Sequence, residues 1–163
     1  MKKIILCALL LCTFILLYPL SIYANDTALY TKEDLLITGT VAGDKASLTK
    51  FDISGLDDKN EIKTFESKKV FSGVADSGAV ITATVYVPAG DGNWKESKVY
   101  SATVGASGVF NLNVDLPLGN SIIIIKAEKD NLISAKVISA DRKDAEIRDK
   151  LKDQLPRNWF NKI

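Results

Sequence analysis

Histidine is absent from this 163-residue chain, and its two cysteines, Cys7 and Cys12, both sit near the N-terminus. Without an imidazole there is no Ser–His–acid triad. Zinc and copper sites lose their customary ligands as well. There is also little charge of one sign, with 21 basic residues against 20 acidic ones. No basic excess exists to draw in a phosphate backbone, so nucleic acid is not an expected partner. No polybasic cluster marks an anionic lipid surface.

What is present begins with the leader. Met1-Lys2-Lys3 is basic, and Ile4 to Leu17 is apolar apart from Cys7, Cys12 and Thr13. Pro19 breaks the run, and Ala24 offers a small residue at a cut. That order reads as a secretory signal peptide, residues 1–24. Cleavage after Ala24 leaves 139 residues with neither cysteine nor histidine and a net charge of −1. Such a domain works outside the cytoplasm, secreted or envelope-associated, and is stabilised by apolar burial without a disulfide. Ile22 is large for the minus-three position. The alternative is a retained N-terminal helix, since Ile4 to Tyr23 approaches the length of a membrane span. After cleavage no membrane contact is expected.

Downstream, the β signal is strong. Leu35 to Val41 is rich in β-branched residues and predicts a first strand; Leu48 to Ile53 and Ile62 to Phe65 predict two weaker ones. Gly55 to Asn60 is a turn cluster. Lys69 to Ala75, Ala79 to Val87, Lys98 to Gly105 and Leu132 to Ser139 follow as strands. Pro88 to Trp94 reads as a loop, because proline and glycine interrupt a ladder. Phe110, Leu112, Val114 and Leu116 alternate with Asn111, Asn113 and Asp115, the pattern of a half-buried strand. Ile122 to Ile125 is apolar on both faces and predicts a central strand covered on each side. Ile81, Val85, Phe110, Leu112, Val114 and Ile124 are the predicted core. From Ala140 to Leu155 the period changes to a helical stripe of Ile147, Leu151 and Leu155, flanked by the pairs Asp144/Arg148 and Glu146/Lys150. The stripe is expected to pack on the sandwich. Pro156 ends the helix and residues 156–163 form a tail. The class is all-β: an antiparallel β-sandwich with a C-terminal α-helix.

Val70-Phe71-Ser72-Gly73-Val74-Ala75 before Ser77-Gly78-Ala79-Val80, then Val104-Gly105-Ala106-Ser107-Gly108-Val109-Phe110 and Leu116-Pro117-Leu118-Gly119-Asn120-Ser121-Ile122, resemble the bacterial immunoglobulin-like (Big-type) domains. Asn120 directly follows Gly119, so the last element is shortened by one residue. The resemblance covers residues 69–139 and implies an immunoglobulin-like sandwich in a small exported protein of a Gram-positive-like bacterium. It also implies turn or close-packing roles for Gly73, Gly78, Gly108 and Gly119. It carries no catalytic residue. Residues 25–68 lie before the match and add strands to the same sandwich or form a small lobe.

Chemistry is sparse. No serine–lysine pair stands out, and the acids scatter through turns and the charged helix rather than converging as glycoside hydrolysis requires. Asp91-Gly92-Asn93 and Asp57-Asp58-Lys59-Asn60 are oxygen-rich, but neither has the spacing of a calcium loop, and Asx-rich turns form without metal. No cofactor or metal is expected. Leu155-Pro156-Arg157-Asn158-Trp159 lacks the rest of a sortase signal. Trp94, with Asn93 and Asp91, is the leading contact candidate: an indole there either stacks on a sugar or a protein partner or folds back over the sandwich end. Trp159 and Phe160 pose the same choice. The expectation is a non-catalytic interaction or structural module presenting loops, chiefly Ala89 to Glu96, to a protein or cell-envelope glycan. The alternatives are a carbohydrate-binding accessory module using Trp94, a membrane-tethered protein, or an enzyme of unrecognised type.

Overall fold

The computed structural model describes residues 28–40 and 47–154. The leader with its cleavage site, and the tail with Trp159 and Phe160, lie outside the described residues. Strands dominate: β1 (Leu29–Tyr30), β2 (Phe51–Ile53), β3 (Glu61–Thr64), β4 (Lys68–Ala75), β5 (Val80–Gly90), β6 (Asn93–Thr103), β7 (Val109–Asp115), β8 (Gly119–Lys129) and β9 (Leu132–Arg142). Two helices accompany them, α1 (Lys32–Thr40) and α2 (Ala145–Gln154). A six-stranded sheet in the order β1-β6-β5-β8-β9-β3 faces a three-stranded sheet in the order β2-β4-β7. All pairings are antiparallel except β3 with β9, where Glu61 to Thr64 run alongside Ser139 to Arg142.

Alternation along the strands decides which side chains enter the core. Ile81, Ala83 and Val85 of β5, Ile123, Ile125 and Ala127 of β8 and Ile138 of β9 pack against Phe71 of β4 and Phe110, Leu112 and Val114 of β7. Gly73 lets its neighbours in the three-stranded sheet, β2 and β7, approach β4 closely. A Cβ there would collide with the Asp52 carbonyl oxygen and lie 2.8 Å from the Phe110 ring. Ion pairs join the two sheets at both flanks, Lys98 with Asp115 and Lys136 with Asp52 at 3.2 Å. The Tyr100 hydroxyl accepts a hydrogen bond from the Asp115 amide at 3.0 Å, closing the β7 edge. All six predicted core residues are buried, and β8 is covered on both faces as its four isoleucines require.

Three expectations are corrected. Residues 35–40 are helical, not extended. Thr31 Oγ1 accepts from the Asp34 amide at 3.1 Å, while Asp34 Oδ2 accepts from the Thr31 amide at 3.0 Å. This reciprocal capping box starts α1, and burial of Leu35 against the sheet outweighs the β preference of the following residues. The Thr31 hydrogen bonds hold the Asp34 carboxyl below its ordinary pKa.

Residues 88–94 form a tight hairpin rather than a loop. Asp91 (φ 49°) and Gly92 (φ 77°) are both left-handed, as a two-residue Asp-Gly turn requires. Pro88 is tolerated because β5 is paired with β8 only as far as Tyr86, leaving one side open for a residue that lacks an amide proton.

The C-terminal helix begins at Ala145, since Ala140, Asp141 and Arg142 complete β9. Asp144 caps it through Oδ1 on the Glu146 amide at 3.0 Å. Arg148 therefore pairs with Glu66 at 3.4 Å rather than with Asp144. Ile147 of the predicted packing stripe is 46% exposed.

Candidate functional site

The outer face of the six-stranded sheet is divided in two. One part is apolar: Leu35 from α1, Tyr86, Ile122 and Ile124 form a second buried cluster, bordered by Tyr30, Trp94 and Val137. Tyr30 and Tyr86 meet edge-on, their ring centroids 5.4 Å apart and their planes at 80°. Burial, with Tyr30 and Glu96 nearby, raises the Tyr86 hydroxyl above its ordinary pKa. α1 thus covers the otherwise exposed isoleucines of β8.

The other part is a groove of about 360 Å³ whose lining includes Lys32, Trp94, Asn120, Ser139, Glu61 and Lys63. Asp141 and Ile122 also contribute. The register explains the grouping. Asn120 pairs with Asp141 and Ile122 with Ser139 across β8 and β9. Glu61 and Lys63 align with Ser139 and Asp141 across β3 and β9. These positions share the face opposite Ile123 and Ile138, because neighbouring strands point in phase. Trp94 stands at the head of β6, paired with Pro88 on one side and Tyr30 on the other.

The groove's polar groups are mostly uncommitted. The side chains of Lys32, Glu61, Lys63, Asn120 and Ser139 and the Trp94 indole nitrogen make no hydrogen bond to another described residue. Asp141 gives one oxygen to Lys143 at 2.8 Å. Its other oxygen, Oδ1, is buried without a partner. Such a group is costly unless something hydrogen-bonds to it. The groove's charges balance, two lysines against two carboxylates.

Of the five residues singled out from sequence, the structure brings only Trp94 to this groove. It is half-buried on the sheet face rather than at a loop tip or over the sandwich end. Asp91 is exposed in the hairpin turn and Asn93 pairs with Gly90 beside it. Trp159 and Phe160 lie outside the described residues. The two oxygen-rich stretches serve turns: Asp57 Oδ1 accepts from the Glu61 amide at 2.9 Å, and Asp91 forms the hairpin. Among the described residues no three acids converge as metal ligands, and no helix is long and apolar enough to cross a membrane. Sequence reasoning missed Lys32, Glu61, Lys63, Asn120, Ser139 and Asp141. The outward position of the strand residues follows from alternation, but bringing Glu61 and Lys63 to them depends on the parallel β3–β9 pairing, which has no local signature, and Lys32 comes from α1. No family model, curated protein or solved structure matches the chain.

Proposed function

We infer that the chain is an exported, non-catalytic interaction module, and that it binds through the groove on the outer sheet face. One observation carries this reading: a partly exposed indole shares a concave surface with polar side chains that have no described partner. Small-molecule and peptide sites characteristically pair an apolar contact with a few uncommitted polar groups. β8 and β9 are each hydrogen-bonded to a strand on either side, so Asn120, Ser139 and Asp141 are pre-positioned and lose little freedom on binding. The basic-then-apolar leader supports export, and the resemblance to Big-type domains fits an adhesive or accessory role in the cell envelope. A retained leader would tether the same module to a membrane, and the N-terminal residue of the native protein distinguishes the two.

The test is an amide and indole chemical-shift map of the purified native protein titrated with a soluble cell-envelope digest containing glycans and peptides. Shifts at the Trp94 indole, Asn120 and Ser139 are expected. Shifts confined to the Asp91–Gly92 turn, or none, contradict the reading. Turnover of a component of the digest at an enzymatic rate contradicts its non-catalytic part.

A further inference from the structure

We propose that the ligand of this groove is an uncharged saccharide, a conclusion that rests on the groove being the binding site. Each element of the lining narrows the class. Its apolar members are Trp94, Ile62, Ile122 and Ala140, and because Ile122 and Ala140 are buried they leave too small an apolar area for a lipid chain or the hydrophobic face of a peptide helix. An indole instead matches the flat C–H face of one sugar ring. Around it, Asn120 and Ser139 can each donate and accept, Lys32 and Lys63 donate, and Glu61 accepts. Such interspersed donors and acceptors complement vicinal hydroxyls, which are themselves both.

Charge removes the other small ligands. With two lysines offset by two carboxylates, the groove has no net attraction for phosphates, nucleotides or acidic sugars. A volume near 360 Å³ falls toward the small end of ligand sites and suits a short saccharide. An extended peptide is the competing occupant. It would be expected to pair its backbone with a sheet edge, whereas the uncommitted groups here lie on a sheet face.

The experiment is titration calorimetry with indole fluorescence and shift mapping on the native protein. Its probes are neutral cello-, xylo- and chito-oligosaccharides, an oligogalacturonate as the acidic comparison, and a pool of unstructured peptides. Saturable binding of a neutral oligosaccharide is expected, with altered indole emission and shifts at Asn120 and Ser139. Asn120→Ala and Ser139→Ala should each weaken it about three- to tenfold. Trp94→Ala should weaken it about thirtyfold or more. Because Trp94 also borders the outer cluster, Trp94→Phe and the two exposed-site variants, each checked by its melting temperature, separate lost binding from lost folding. Preference for the acidic sugar, or no saccharide binding up to millimolar concentration, overturns the proposal. If peptides shift the groove resonances and sugars do not, the saccharide assignment fails while the groove remains the binding site. If a bound ligand shifts only residues elsewhere, both readings fail.

Discussion

The two faces of the six-stranded sheet differ in what they bury. The inner face meets the three-stranded sheet chiefly through aliphatic and aromatic side chains, with Ile81, Ile123, Ile125 and Ile138 fully covered and ion pairs at the flanks. The outer face is partly covered by one short helix, which sets Leu35 over Ile122 and Ile124, and beyond it turns polar around Trp94. Period-two alternation places both surfaces on the same strands. Residues that stabilise the fold and residues left exposed on the outer face are therefore sequence neighbours pointing opposite ways, as with Ile138 and Ser139. A substitution on one face can leave the other intact.

The largest effects should come from the inner face. Phe71→Ala should cost about 3–5 kcal/mol, and Gly73→Ala about 3 kcal/mol because the Asp52 backbone and the Phe110 ring must move apart. Denaturant unfolding measures both, and losses under about 1 kcal/mol would show that the sheets are not packed as described. The outer cluster comes next. Leu35→Ala should cost about 2–3 kcal/mol, with the loss confined to α1 and β8 in hydrogen exchange. A cost equal to that of Phe71→Ala would erase the distinction between the faces. Asn120→Ala and Ser139→Ala should stay within about 0.5 kcal/mol of the native stability, since both side chains are exposed.

The smallest effect concerns the flanking ion pairs. Hydrogen bonding to Lys136 lowers the Asp52 pKa, and hydrogen bonding to Lys98 and Tyr100 lowers that of Asp115. A lowered carboxylate pKa contributes stability above the unfolded value of about 3.9 and loses it as pH falls through the folded value. Both pairs are solvent-exposed, so the contribution is small. Melting temperature should hold from pH 7 to about pH 4 and decline below it, and the decline should be shallower in the Asp52→Asn/Asp115→Asn double variant. An unchanged slope would remove these pairs from the account.

Much of this division is legible in the chain. Phe110 to Leu116 announces its buried face by alternation, and four consecutive isoleucines require cover on both sides, although the identity of that cover, α1, is not apparent. The helix was hidden because Ile37, Thr38 and Thr40 favour strands, while its start is written in Thr31 and Asp34, a capping signature of two side chains. The hairpin at Asp91-Gly92 was masked by Pro88 and Gly90, which are unremarkable once one side of β5 is open. Asn120, Ser139 and Glu61 carry no local signal of function. The β8–β9 pairing brings Asn120 near Ser139, and the pairing of β3 alongside β9, between segments over seventy residues apart, adds Glu61.

The most direct test compares the ligand-induced rise in melting temperature for the native protein and the Asn120→Ala/Ser139→Ala double variant, each with and without the cell-envelope digest. The account predicts equal melting temperatures without ligand and a rise that is abolished or sharply reduced in the variant. An undiminished rise in the double variant, or a fall of several degrees in its unliganded melt, would contradict the separation of folding and binding between the two faces.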